Sequence, residues 1–182
     1  MAAKVVAGRQ TAAHEGGLVV FVIGMRVNRW WAVHRWWPVM MAMRPMLEEL
    51  SRNKELGFLG GRLALSADGP VSIQYWRSYE DLERYARHGA KHLKAWQDYN
   101  RKAAASGASV GVYHETYVVD AGNYESVYVN MPQIGLGLVS GVVPATGRRE
   151  TARGRLENGR GGEAAGPGAA EATKAWTAES AI

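Results

Sequence analysis

The spacing of apolar residues changes several times along the chain, and each change predicts a new secondary-structure element. Residues 18–27 (LVVFVIGMRV) are apolar without alternation, which predicts a central strand buried on both faces. From residue 30 to residue 50 apolar positions recur every three or four residues, and this period predicts an amphipathic helix. Asn28 is its predicted N-cap, and Pro45 is predicted to kink or restart it.

A hairpin and a second helical region follow this helix in the pattern. Residues 58–66 and 71–77 flank the turn sequence DGP, which predicts two antiparallel strands, with a bulge or bend at Gly60-Gly61. Serine at position 78 with an aspartate three residues later resembles a capping box and predicts that another helix begins there.

The last elements predicted for the core are a helical stretch over 92–103 and strands at 110–119 and 124–130. The resulting order, β-α-β-β-α-β-β, is typical of the α+β class. It matches the ferredoxin-like split βαβ fold, an antiparallel sheet with helices on one face. Because the strands carry apolar residues on both faces, we expect a second copy of the chain to cover the open face. The homodimer would then be a dimeric α+β barrel.

Composition separates the two ends from this core. Residues 1–17 are small and polar, and they predict a flexible N-terminal arm without a signal peptide. Residues 147–182 are mostly Gly, Ala and charged residues, with too few apolar side chains to offset the entropy of ordering. We therefore predict a domain at 18–146 and a disordered tail. No segment has the length of a membrane span, and we expect a cytoplasmic protein.

Charge and cysteine content exclude several classes of function. The chain has 22 Lys and Arg and 17 Asp and Glu, and its formal charge of +5 is scattered rather than clustered. This distribution predicts no nucleic-acid partner. The absence of cysteine excludes thiol nucleophiles, disulfides and iron–sulfur clusters, which leaves histidine as the leading candidate for polar chemistry.

Tryptophan is concentrated at the start of the first predicted helix, where four of the seven lie within eight residues. So many indoles exceed what a small core can hold, so we expect some of them to face a hydrophobic small-molecule ligand, a partner or a membrane surface. The preferred interpretation is a pocket between the sheet and its helices, in which flexible methionine side chains form part of the wall. The substrate-binding residues predicted on this helix are Trp36, Trp37, Met40 and Met41.

Histidine supplies the candidate catalytic residues. On an alternating strand His114 shares a face with valines, which suits either a neutral general base or a core histidine bonded to a backbone carbonyl. His92 and Trp96 share a helix face and are predicted to line the pocket. His88 lies four residues before His92, but Gly89 interrupts the helix and a third ligand is missing, so no metal site is predicted.

Several segments of the core resemble the family of small proteins grouped with the monooxygenase of a fungal fumagillin-type pathway. They include VVFVIGMRVNRWW, WPVMMAMRPMLEEL, IQYWRSYEDLERYAR, HLKAWQDYNR and VGVYHETYVVDAGNYESVYVNMP, in conserved order across most of residues 19–137. The resemblance implies a fold like that of the antibiotic-biosynthesis monooxygenases. It also implies oxidation of an aromatic, polyketide or terpenoid substrate of secondary metabolism by O₂, without flavin or metal. It makes His114 and His92 the catalytic candidates, with Gln74, Tyr75 and Trp76 orienting the substrate.

Two alternatives remain open at this point. The same barrel superfamily hosts haem enzymes such as aldoxime dehydratases, and in that case haem is the cofactor, with His92 or His114 as its axial ligand. The other alternative is a non-catalytic module that binds a hydrophobic ligand or a partner through the tryptophan-rich helix.

Overall fold

The computed structural model describes residues 3–88 and 108–160, together with Lys94, Gln97 and Arg101. The strands are β1 (Val5–Ala12), β2 (Leu18–Val27), β3 (Phe58–Leu65), β4 (Pro70–Trp76), β5 (Val110–Val119), β6 (Tyr128–Pro132) and β7 (Val142–Pro144). The α-helices are α1 (Val33–Arg52), α2 (Tyr79–His88), α3 (Leu136–Ser140) and α4 (Ala152–Arg160), and 3-10 turns occupy Lys54–Leu56 and Gly147–Arg149.

The larger sheet has four antiparallel strands in the order β3-β4-β2-β5. Strand β2 pairs with β5 along its whole length and with β4 on its other side, so it is the central strand that its apolar sequence predicted. The register between β3 and β4 shifts between Phe58 and Gly60, which confirms the predicted bulge. The α+β class and the ferredoxin-like arrangement are thereby confirmed.

Alternation along β2 divides the core into two layers. Val19 packs with Leu47 and Leu50 of α1, and Met25 packs with Val39, so odd-numbered residues of β2 face the helices. Leu18 and its even-numbered neighbours face the opposite side, where α3 covers part of the sheet. We call these the helix-facing side and the outer side of the sheet.

Helix α1 differs from the prediction at its start and in its middle. It begins at Val33 after Ala32, while the side-chain amide of Asn28, the predicted N-cap, instead donates a hydrogen bond to the backbone oxygen of Ala108 over 3.0 Å. The restart predicted at Pro45 is absent, because α1 is one helix through both of its prolines.

A second sheet of order β6-β1-β7 is an element that the sequence analysis missed. Strand β1 lies within the segment for which a flexible arm was predicted. Half of its eight residues are apolar, but they do not alternate with polar residues, and only Thr11 is buried in it. The strand is held instead by backbone pairing with β6 and β7, a contact that the local pattern does not encode. Strand β6 also begins later than predicted, at residue 128 rather than 124.

Helix α4 lies within the segment for which a disordered tail was predicted, and it too was missed. Its polar sequence gives no amphipathic signal, but Arg155 is buried at 8% exposure and binds the carboxylate of Glu125 over 2.6–2.7 Å. Two glycines, Gly122 and Gly159, let the helix approach the loop before β6 closely. Residues 161–182 of the predicted tail lie outside the described residues.

Candidate functional site

A line of buried polar side chains runs along β4 on the helix-facing side of the sheet. Ser72, Gln74 and Trp76 alternate with residues of the outer side and are 2%, 4% and 0% exposed. The indole N–H of Trp76 donates to Oε1 of Gln74 over 3.1 Å, and Nε2 of Gln74 donates to Oγ of Ser72 over 3.3 Å. We call these three residues the polar ladder. Their mutual hydrogen bonds allow burial without a large desolvation penalty.

The register of the paired strands shows which residues of β2 and β5 lie beside the polar ladder. Gln74 lies opposite Phe21 of β2, and Phe21 lies opposite Thr116 of β5. One step along, Ser72 lies opposite Ile23, which in turn lies opposite His114. Two strand spacings separate the serine from the histidine, or about 10 Å across the sheet.

His114 is exposed on β5, the edge strand of the sheet opposite to β3. Its ring lies 5.5 Å from that of Phe21, centroid to centroid, with the planes inclined at 38°. It does share the helix-facing side with Val110 and Val112, as predicted, but only that end of β5 is covered by α1. An exposed imidazole is not a core histidine, and a substrate can reach it, as a general base requires.

Helix α1 separates the four residues that were predicted to bind substrate together. Trp36 and Met40 pack toward the sheet, against a cluster around Met25. Trp37 and Met41 are 50% and 39% exposed one position further around the helix, and the ring of Trp37 packs edge-on against that of Trp36 at 5.9 Å. A rotation of 100° per residue explains the difference in burial.

The other predicted site residues also divide. Tyr75 projects to the outer side, where it packs near Leu136 and where burial raises its pKa, so it is not beside Gln74. Trp76 is fully buried, and its ring meets those of Phe58 and Tyr85 at 5.5 and 5.7 Å. The remaining two candidates, His92 and Trp96, lie outside the described residues.

Three residues of this side of the sheet were missed by the sequence analysis: Phe21, Ser72 and Thr116. The period of two in VSIQYW was a sufficient signal for Ser72, because it places the serine on the same face as Gln74. Phe21 and Thr116 depend on which strands pair and in which register, and the sequence of a single strand does not encode that.

The described residues show neither a triad of metal-ligating side chains nor a helix long and apolar enough to cross a membrane. Among the predicted haem ligands, His114 is the one that the described part of the chain contains. If haem were bound, the accessible imidazole of His114 would be the described group able to hold its iron.

Comparison with known proteins places the fold and these residues in a family. Residues 18–136 match the model of the family described as monooxygenase af470-like. The chain belongs to this family. The matched range begins at β2 and ends at the start of α3, so it contains the whole four-stranded sheet, α1 and the polar ladder.

A curated relative is monooxygenase af470 of Aspergillus fumigatus. It is 29% identical over 131 residues, which cover 68% of this chain and 46% of the relative. The chain therefore spans about half the length of the curated family member that it matches.

Two solved structures share the fold. An aldoxime dehydratase in complex with butyraldoxime superposes with a TM-score of 0.58 and 20% identity, over 71% of this chain and 41% of the enzyme. A second aldoxime dehydratase gives a TM-score of 0.57 and 24% identity, over 71% of this chain and 42% of that enzyme.

Proposed function

We propose that the protein is a small monooxygenase that oxidises a hydrophobic aromatic, polyketide or terpenoid molecule of secondary metabolism with O₂, without flavin or metal. The observation that carries the proposal is the position of His114, an accessible imidazole beside the Phe21 ring, on the side of the sheet where Ser72, Gln74 and Trp76 are buried. Membership of a family named for a monooxygenase supports the reaction type.

In this proposal the substrate supplies the electrons. His114 accepts a proton from an acidic C–H or O–H of the bound substrate. The resulting anion passes an electron to O₂, and the two radicals combine to a peroxide anion. His114 returns its proton to this anion, and loss of water from the hydroperoxide leaves a carbonyl. The sum is R₂CH₂ + O₂ → R₂C=O + H₂O, in which one oxygen atom enters the product and the other leaves as water.

The remaining residues shape the site around that base. Phe21 and Trp36 offer flat apolar surface to an aromatic ring, and Met40 adapts to its outline. The polar ladder is buried and satisfied within itself, so Gln74 and Trp76 act by holding the floor rigid. His92 and Trp96 remain predicted contributors.

We further propose that the protein works as a homodimer through the outer side of the sheet. Tyr113 and Tyr117 of β5 are 46% and 50% exposed there, and the ring of Tyr113 lies directly over Gly24. Exposed aromatic rings on a flat sheet are typical of a surface that another protein chain covers.

The test of the proposed function uses the purified full-length chain and anthrone, a tricyclic C–H acid of the expected class. Under ¹⁸O₂ we expect anthraquinone with one ¹⁸O per molecule and a protein with no visible absorption. A Soret band in the purified protein, lost in His114→Ala, favours the haem alternative instead. Haem would supply iron redox chemistry, and His114 would hold the iron. Binding of anthrone without any turnover supports the non-catalytic module.

A further inference from the structure

The outward side of the first half of α1 is apolar, although that side of a surface helix is ordinarily polar. Val33, Trp37 and Met41 are spaced four residues apart and therefore share one helix face. Their exposed fractions are 49%, 50% and 39%. Trp36 and Met40 already supply the core contacts of this part of the helix, so the outward row is not needed for packing.

Two further indoles extend this row beyond the helix. Trp30 and Trp31 precede α1 and are 54% and 80% exposed. The rings of Trp30 and Trp37 each pack edge-on against Trp36, at 5.8 and 5.9 Å, and the indole N–H of Trp36 donates to the Trp30 carbonyl over 3.0 Å. The half-buried Trp36 thus anchors a preformed surface. We call Trp30, Trp31, Val33, Trp37 and Met41 the tryptophan patch.

The charged residues within the sequence segment around the tryptophan patch are arginines. The stretch 26–47 contains four arginines and no aspartate or glutamate. Arg26 and Arg44 reach outward to Asp68 and Glu48, at 2.9 and 3.0 Å. Arg29 and Arg35 flank the indoles in sequence; Arg29 is exposed, whereas Arg35 is half-buried and donates a hydrogen bond to Nε2 of His34 over 3.3 Å. The patch is therefore an apolar aromatic surface with the exposed cation of Arg29 beside it in sequence.

We propose that the tryptophan patch docks the protein onto the surface of an anionic lipid bilayer. Indole rings favour the depth of the lipid headgroups, methionine and valine enter the adjoining acyl region, and arginines beside them attract phosphate. Because the patch lies on the outward side of α1, the helix axis would lie parallel to the bilayer, with the sheet above it. The proposal is independent of the reaction proposed for His114.

A second copy of this chain could also cover the tryptophan patch, but charge disfavours that contact. A two-fold symmetric contact places the same surface against itself, so each copy would bring Arg29 into the contact, and the tryptophan patch of the other copy offers it no carboxylate. An anionic bilayer instead offers Arg29 an opposite charge.

The experiment is co-sedimentation of the full-length protein with vesicles of phosphatidylcholine, with and without phosphatidylserine. We expect binding to the serine-containing vesicles, a loss of binding at high salt, and little binding to pure phosphatidylcholine. Trp31→Ala is the main variant, because a side chain that is 80% exposed contributes little to folding. We expect it to weaken binding at least tenfold, and Arg29→Gln to weaken it about fivefold.

Val129→Ala is the control, since Val129 is an exposed apolar side chain, at 56%, on the other sheet. It should bind as the wild type does. The proposal is overturned if the wild-type protein does not distinguish the two vesicles, or if Trp31→Ala binds as well as Val129→Ala. It is also overturned if Trp31→Ala abolishes a dimer in sedimentation velocity without affecting vesicle binding, because the occupant is then a second copy.

Discussion

The rings of His114 and Phe21 lie 5.5 Å apart on paired strands, and Phe21 is at the same time the register partner of Gln74. One phenyl ring therefore stands between an accessible imidazole and a buried amide. On the helix-facing side of the sheet, the proposed base therefore lies on β5 and the hydrogen-bonded polar ladder lies on β4.

Replacing that ring should affect substrate binding more than chemistry. We expect Phe21→Leu to raise KM by about tenfold, from the lost aromatic contact, while kcat changes little. Steady-state oxidation of anthrone measures both constants. Equal falls in kcat and kcat/KM would show instead that Phe21 acts only in the transition state.

The polar ladder should contribute to stability through its hydrogen bonds. Gln74→Leu leaves the Trp76 N–H and the Ser72 hydroxyl buried without their amide partner. We expect it to lower the free energy of unfolding by about 2–3 kcal/mol, measured by urea denaturation. Ser72→Ala removes only the last member and should cost about 1 kcal/mol. A neutral Gln74→Leu substitution would contradict the geometry.

Two arginines of α4 offer a matched comparison of buried and exposed ion pairs. Arg155 is buried and binds Glu125 and two backbone carbonyls, whereas the pair of Arg153 with Glu157 is 90% and 64% exposed. We expect Arg155→Ala to lower the free energy of unfolding by about 3 kcal/mol and to expose α4 to proteolysis. Arg153→Ala should change it by less than about 0.5 kcal/mol. Equal effects would contradict the docking of α4 by Arg155.

His14 should make the fold sensitive to mild acid. Burial lowers the pKa of His14, and its Nε2 lacks a hydrogen-bond partner beside a cavity of about 30 Å³ next to Tyr124. Because the folded pKa is below the unfolded value, the unfolded chain binds protons more readily. The free energy of unfolding therefore has its full value above pH 6.5 and declines as the pH falls from there toward the lowered pKa.

Urea denaturation between pH 7.5 and pH 5 measures this decline (about the range in which histidine titrates). His14→Gln should flatten the curve, and His34→Gln, which alters an exposed histidine, should leave it unchanged. A slope that survives in His14→Gln would assign the acid sensitivity to another group.

The outer side of the sheet gives a prediction for the proposed dimer. A Cβ at position 24 would meet the Tyr113 ring within overlap distance, so Gly24→Ala must displace that ring. We expect this variant to dissociate the dimer in sedimentation velocity, and Gly24→Ala with Tyr113→Ala to remain folded. A wild-type monomer at all concentrations would contradict the proposed dimer.

The sequence predicted those elements whose residues bury their own apolar side chains. Strand β2 and helix α1 are of this kind, since Val19 and Leu47 meet in the core that the apolar periods outline. Strand β1 and helix α4 could not be predicted, because pairing with β6 and the ion pair of Arg155 stabilise them. Their order depends on residues more than a hundred positions away in one case and thirty in the other.

The residues of the candidate site were also predicted only in part. Composition pointed to His114 and to the tryptophan-rich helix, and strand alternation placed the histidine on the helix-facing side. Strand alternation also places Tyr75 and Gln74 on opposite sides of the sheet, and helix geometry leaves Trp37 more exposed than Trp36. A count of aromatic residues reveals neither difference.

The most direct test of the account is the rate of anthrone oxidation by His114→Ala, with His34→Ala as the control histidine. If His114 is the base, kcat should fall by about a hundredfold or more, the loss of rate on the acidic side of the pH profile should disappear, and the control should match the wild type. Wild-type kcat in His114→Ala, with an unchanged pH profile, would contradict the central claim.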